Sequence, residues 1–157
     1  MPLIPSLLAQ TIEANWLPGE NGPWHDDTPA SAEALAGAVA DWFGGAMAMG
    51  FPCATAAARR GQLKGQLIPA LQTEQAQGAG QQVALAFMAY VAGQGFGAGV
   101  AAPPLATAAG GSMIGTAFAA LDQPQAARAA TIAQAFHLMA LSSLVAFPQP
   151  PFVAPLT

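Results

Sequence analysis

Apolar residues recur at near-helical spacing along most of this chain, which predicts a mostly α-helical protein. The periodic stretches cover residues 3–16, 31–49, 62–75 (or 66–75), 81–93, 113–122 and 126–147. We expect four or five of these six stretches to form helices. Pro5 suits the first turn of the first helix, and either Thr28 or Ser31 is the expected N-cap of the second.

Between these stretches lie connectors rich in proline and glycine. They cover residues 17–29, 51–60, 93–99 and 103–111, and a proline-rich tail follows at 148–157. We expect all of them to be extended or turn-rich. Within the connectors, the runs ATAAARR (54–60) and ATAAGG (106–111) contain few β-branched residues, which argues against strands at these points.

Two pairs of segments match each other and indicate an internal repeat with a period of about fifty residues. Residues 52–57 match 104–109, and residues 83–87 match 132–136. Segments 31–49 and 148–157 are candidates for the two halves of a third copy. The alternative explanation is chance similarity between two regions rich in alanine and glycine.

The length and these patterns predict one helical domain over residues 1–157. Its parts are an N-terminal helix and loop (1–30), a helical body with two similar units (31–147), and a C-terminal arm (148–157). The arm is expected to reach a neighbouring chain. Trp24 is expected to anchor the first loop onto the body.

The distribution of charge changes this picture. Only 8% of the chain is charged, and residues 75–157 carry two formal charges, Asp122 and Arg128. A soluble domain has roughly a quarter charged residues. We therefore expect the C-terminal half to be covered by other copies of this chain or by other subunits. The predicted interface side chains are Phe87, Tyr90, Phe96, Phe118, Phe136, Met139, Phe147 and Phe152.

Charge and cysteine content exclude several functional classes. Four basic residues and a net charge of −4 do not provide the phosphate contacts that nucleic acid requires. The small basic cluster of Arg59, Arg60 and Lys64 is expected either to be solvated or to pair with a neighbouring copy. Cys53 is the only cysteine, so an internal disulfide is excluded. Residues 1–10 lack a secretory pattern, and we expect the chain not to be secreted.

Candidate chemical groups do not form a recognisable catalytic or cofactor set. The run 24–27 contains His25, Asp26 and Asp27, which are ordinary metal ligands, but adjacent residues rarely converge on one ion. Gly93–Gly99 resembles a dinucleotide loop without its full spacing or a preceding strand. His137 and Cys53 are more typical of core residues. We therefore predict no enzyme activity, no metal and no cofactor.

A membrane protein of the holin type, with a short helical hairpin, is the alternative hypothesis. Segments 83–104 and 132–147 are the most apolar windows. The second is shorter than the roughly twenty residues that span a bilayer, and neither is flanked by Lys or Arg. Membrane insertion is therefore disfavoured.

The Leu-rich start, the acidic loop, the Ala-rich helix near residue 40 and the proline-led pieces ending in PFVAPLT together carry a resemblance. The chain resembles small Ala- and Gly-rich structural proteins of the tails and virions of tailed bacteriophages and related contractile particles. This resemblance implies a non-catalytic subunit located in a virion or a cytoplasmic particle. It implies no functional residue, copy number or neighbouring subunit.

Overall fold

The computed structural model describes residues 3–17, 24–148 and 152–157. The prediction of a mostly helical protein is confirmed. The described residues form six helices, however, and not four or five. The helices are α1 (Pro5–Asn15), α2 (Thr28–Phe43), α3 (Arg60–Leu71), α4 (Ala76–Val91), α5 (Thr107–Ala119) and α6 (Gln125–Leu141).

Six short strands accompany the helices: β1 (Met47–Ala48), β2 (Phe51–Pro52), β3 (Gly95–Phe96), β4 (Gly99–Ala101), β5 (Leu144–Ala146) and β6 (Val153–Pro155). Each of the three long helices, α2, α4 and α6, leads into a pair of antiparallel strands. The first two pairs then lead into the shorter helices α3 and α5. Each helix packs against the next along the chain, and α6 packs against α1, so the six helices enclose one core.

The strands form a closed layer at one end of the helices. The strand order β3–β4–β5–β6 forms one antiparallel sheet, and β1 and β2 form a separate hairpin. Cys53, which follows β2, pairs with Phe96 of β3. On the other side, Met47 and Thr157 exchange two N–H···O bonds of 3.0 Å each. The hairpin is thus joined to both edges of the sheet.

These strands correct several sequence-based boundaries. The helix predicted to reach Met49 ends at Phe43, and the helix predicted to reach Phe147 ends at Leu141. The runs 54–60 and 106–111, where strands were doubted, form no strand, and the strands lie beside them at Phe51–Pro52 and Gly99–Ala101. Met49 (φ 49°) and Gly50 (φ 84°) form a two-residue turn of the kind that matches the twist of a hairpin. Such short strands depend on backbone pairing with their neighbours more than on β propensity.

Two further local predictions need correction. The N-cap of α2 is Asp27, whose carboxylate accepts a hydrogen bond of 2.7 Å from the backbone N–H of Ala30. It is neither Thr28 nor Ser31. In addition, α5 begins at Thr107, inside the segment 103–111 that was expected to be extended.

Pro52 lies in β2 while Pro104 follows β4, so the predicted match of 52–57 with 104–109 does not pair equivalent structural positions.

Helices α4 and α5 approach each other unusually closely. They make the most extensive helix contact in the protein. A Cβ atom placed on Gly80 of α4 would lie within 2.6 Å of backbone atoms of Gly111 and Gly115 of α5. The small residues of this chain therefore serve contacts between its own helices.

Large aromatic side chains fill the centre of the core. Phe43 of α2 contacts the rings of Phe87, Tyr90 and Phe96 at centroid distances of 5.6–6.5 Å. Phe87 also meets Phe136 of α6 edge to face at 4.9 Å. These edge-to-face pairs each contribute about 1 kcal/mol beyond simple burial.

The glycine contact gives a first prediction. Gly80→Ala should lower the free energy of unfolding by about 1–3 kcal/mol or more, because the new methyl group would overlap the α5 backbone. Gly65→Ala is the matched control. Gly65 lies in α3 with no neighbouring atom within 4 Å, so alanine should raise stability by about 0.5–1 kcal/mol. Urea unfolding followed by circular dichroism measures both values, and equal effects would contradict the close contact.

The C-terminal residues are not an arm extended toward a neighbour. Val153–Pro155 forms β6, which pairs with all of β5. Ala154 and Leu156 are buried in the core, and Thr157 is bonded to Met47. Residues 149–151 of the predicted arm lie outside the described residues.

Removal of residues 152–157 should therefore destabilise the folded chain itself. The deletion removes one strand of the closed layer and leaves the inner side of β5 partly uncovered. Truncation of Leu156 alone, as Leu156→Ala, should cost about 2–5 kcal/mol. Thermal unfolding tests both variants. A deletion variant with an unchanged melting temperature would show that the strand layer does not support the fold.

Candidate interaction surface

The two ends of this protein differ in charge. Asp27, Glu74 and Asp122 stand at or just before the first residues of α2, α4 and α6, where a negative charge is favourable to the helix dipole. The opposite ends of the same helices enter the strand layer. Residues 44–58, 92–106, 142–148 and 152–157, which form that layer and its connections, contain no Asp, Glu, Lys or Arg.

The outer side of the strand layer is apolar and exposed. Val100 pairs with Ala146, and Ala146 pairs with Val153, so these three side chains form a row across β4, β5 and β6. Leu144 and Pro155 form the next row on the same side. We use the name hairpin face for the exposed large apolar side chains of the three hairpins, each 41–59% exposed: Met49, Phe51, Val100, Leu144, Phe152 and Val153.

The inner side of the same strands holds the hairpin face in place. Alternate residues along the strands, among them Ala101, Val145 and Ala154, point into the core. Phe51 packs across Gly97 of the neighbouring hairpin, where an added Cβ would lie 2.8 Å from its ring. Gly99 similarly lies against Phe147 and Val145. Phe51 of the hairpin face is therefore held against the neighbouring hairpin, and the inner side chains of the strands pack closely beneath the face.

A buried polar cluster joins the first two hairpins to α4. Thr55 Oγ1 donates to Gln94 Oε1 at 2.5 Å and accepts from the Gly95 N–H at 2.9 Å. Gln94 Nε2 donates to the carbonyl of Tyr90, and the Tyr90 hydroxyl donates to the carbonyl of Ala56. Each of these groups has a partner, so the cluster fastens the structure.

Cys53 adjoins this cluster, with its Sγ 3.4 Å from Gln94 Oε1. Burial raises the pKa of the Cys53 thiol above its ordinary value. Burial likewise raises the pKa of Tyr90. A nucleophilic cysteine requires the opposite shift, so the structural role expected of Cys53 fits its surroundings.

The four basic side chains are all engaged within the chain. Arg59 donates to the carbonyls of Ala92 (2.6 Å) and Ala89 (3.1 Å) at the end of α4, and Arg128 donates to the Ala117 carbonyl near the end of α5. A cation at a helix C-terminus is favourable to the helix dipole.

Arg60 and Lys64 of α3 form ion pairs of 2.5 and 3.0 Å with Glu33 of α2. The hydrogen bond from Lys64, with smaller contributions from Arg60, lowers the pKa of Glu33. The predicted basic cluster is thus neither simply solvated nor free to bind a neighbouring copy.

The other sequence-based candidates do not converge on a site. Trp24 is 58% exposed, so the prediction that it anchors the loop was wrong. The tryptophan that is anchored to the body is Trp16, which directly follows α1. It is buried, and its Nε1 donates to Ser31 Oγ of α2 at 2.8 Å. Gly93–Gly99 forms a turn and part of a hairpin. Within residues 3–17, 24–148 and 152–157, no group of three or more His, Cys, Asp or Glu could hold a metal.

The eight predicted interface residues mostly belong to the chain's own core. Phe118 is only partly buried, and Phe152 is 50% exposed. The other six have at most 9% of their surface exposed: Phe87, Tyr90, Phe96, Phe136, Met139 and Phe147. A side chain covered by its own chain does not need a partner for burial. The low charge of the C-terminal half therefore reflects internal packing as well as surface chemistry.

Most of the hairpin face was missed by sequence reasoning. Met49 and Leu144 were assigned to helices, Phe51 to a connector and Val153 to the C-terminal arm, and Val100 lay between two connectors. At Leu144–Ala146 the structure buries Val145 and exposes its neighbours, but all three residues are apolar, so the sequence shows no alternation with the strand period of two. The run is three residues long, too short to be distinguished from the end of α6.

No family model matches the chain, and comparisons with curated proteins and with solved structures find no match. Among the helices of the described residues, none combines the length and hydropathy needed to cross a membrane. The surface is therefore interpreted from its own geometry.

His137 of α6 provides a prediction about pH. Its ring lies 6.4 Å from that of Trp42, and its buried Nδ1 has no hydrogen-bond partner among the described residues. Burial lowers the pKa of His137. The unfolded chain therefore binds this proton more readily, and stability should fall as pH decreases from about 6.5 toward 5.

Urea unfolding at a series of pH values tests this sign. The wild-type midpoint should decrease between pH 7.5 and pH 5, and His137→Gln should make that decrease smaller. His25→Gln is the control, since it removes the other histidine. If His25→Gln, and not His137→Gln, reduces the pH dependence, the assignment to His137 is incorrect.

Proposed function

We propose that this chain is a non-catalytic structural subunit of a larger protein assembly, of the kind found in phage virions and tails. The hairpin face is the observation that carries this proposal. It is apolar, contains no charged side chain and is formed by all three hairpins, with Val100, Ala146 and Val153 adjacent across β4, β5 and β6. A cluster of exposed large apolar side chains of this kind marks an interaction site.

The side-chain chemistry supports a non-catalytic role. Within the described residues, the basic groups bind helix ends or Glu33, and the thiol is buried with a raised pKa. The buried polar cluster satisfies its own hydrogen bonds. Each of these groups has a structural task, which leaves none of them directed toward a substrate.

We also propose that the chain contains three copies of one unit: a long helix, a hairpin and a short helix. The units are α2–β1–β2–α3, α4–β3–β4–α5, and α6–β5–β6 completed by α1. The packing of α1 against α6 and the bond between Thr157 and Met47 support the third unit. In this division the third copy differs from the one predicted from the sequence, whose two halves were residues 31–49 and 148–157.

A particle-association experiment tests the structural role. Particles from the organism that encodes the chain would be isolated on a density gradient and analysed by quantitative mass spectrometry. The chain should occur at a fixed ratio to a major particle subunit. It should stay bound in about 1 M salt, because an apolar contact is insensitive to screening.

The matched variants are Val153→Glu on the hairpin face and Leu121→Glu, an exposed leucine that follows α5 and lies outside the hairpins. Val153→Glu should reduce incorporation into particles at least tenfold, whereas Leu121→Glu should leave it unchanged. Absence of the wild-type chain from every particle fraction would refute the proposal.

A further inference from the structure

We propose that the hairpin face binds the hairpin face of a second copy of this chain, giving a two-fold symmetric dimer. This inference rests on the proposed function, since it names the partner for that same surface. Two-fold contacts are the commonest form of self-association, and they join the same patch on both copies.

The charge distribution favours a second copy. The chain has a net charge of −4, so two copies repel each other. Asp27, Glu74 and Asp122 stand at the starts of helices whose other ends enter the strand layer. Helices of 16 residues, such as α2 and α4, are about 24 Å long. Contact through the hairpin faces would thus separate these three acids by roughly twice that length, far beyond the Debye length of about 8 Å. Asp41, which is exposed in the last turn of α2, is the acid of that helix that stays nearest to the contact.

The chemistry of the face also disfavours other partners. It offers no charge that could select a charged protein surface, and an uncharged apolar patch is complementary to itself. Both edges of the strand layer are already paired, through Cys53 with Phe96 and through Met47 with Thr157. A partner therefore meets the side chains of the layer and does not add a strand to its edge.

A lipid surface fits less well. Proteins that sit at a membrane interface use Trp and Tyr as anchors, with Lys or Arg toward anionic lipid. Residues 44–58, 92–106 and 142–157 contain none of these four residue types. The hairpin face consequently has Phe51 and Phe152 as its aromatic side chains but lacks both the Trp and Tyr anchors and the cations that favour a membrane interface.

The size of the face sets the expected strength. Six large apolar side chains that are about half exposed offer on the order of 600 Å² on each copy. Two copies would bury roughly 1,200 Å², which is the lower limit for specific interfaces. The expected dimer is accordingly reversible, with a dissociation constant on the order of micromolar.

Sedimentation velocity on the full chain tests the dimer. Between about 1 and 100 µM, the mass should rise from 15.8 kDa toward twice that value. Val153→Glu and Val153→Lys should each weaken association at least tenfold, because each places like charges on both sides of the contact. An equimolar mixture of the two variants should regain association, since opposite charges then share the interface.

Controls separate this effect from unfolding. Leu121→Glu should associate like the wild type. Circular dichroism and thermal unfolding establish that each variant is folded. If a Val153 variant fails to fold, Val100→Glu and Val100→Lys replace that pair, because Val100 lies in the same row two strands away, on β4.

Three results would overturn the inference. The first is a mass that stays at 15.8 kDa at about 100 µM. The second is an association that Leu121→Glu weakens as much as Val153→Glu does, and the third is capture of the wild-type chain by neutral phosphatidylcholine vesicles in place of dimerisation. A chain that stays monomeric alone but is incorporated into particles refutes the dimer and leaves the proposed function standing. A dimer that occurs in no particle supports self-association through the hairpin face and refutes the proposed function.

Discussion

Backbone hydrogen bonds that close the strand layer are the constraint on which the rest of this structure depends. The pairing of Met47 with Thr157 and of Cys53 with Phe96 joins one hairpin to both edges of the four-stranded sheet. Because α2, α4 and α6 each run into this layer, its closure sets where the three long helices end. The same closure places one apolar side of the strands inward and leaves the other outward.

Small residues have a defined purpose in this arrangement. Gly80, Gly111 and Gly115 allow the backbones of α4 and α5 to touch, and alanines occupy much of the remaining helical core. An Ala-rich core buries little apolar area per residue, so close packing and a central group of aromatic rings supply the rest. The composition that suggested an incomplete chain is thus largely explained by packing within the chain.

Most of the few charges have a structural task. Acids precede the long helices, Arg59 and Arg128 bind helix C-termini, and Glu33 holds Arg60 and Lys64. Glu13 and Asp41, in the last turns of α1 and α2, do not follow the dipole preference. The strands themselves contain no charged side chain. The acids that precede α2, α4 and α6 therefore lie opposite the apolar strand layer, and this polarity connects the helix dipoles to the proposed contact surface.

The sequence by itself determined the helical class, the positions of most helices and the scarcity of charge, because helical periodicity and composition are local properties. Only the tertiary structure decided the hairpins, since strands of two or three residues such as Met47–Ala48 carry almost no periodic signal and exist through pairing with distant segments. It also decided which apolar residues are available to a partner. Phe87 and Val153 are equally apolar in sequence, but Phe87 is enclosed by α2 and α6 whereas Val153 faces outward, and that difference arises only when the helices and the strand layer pack together.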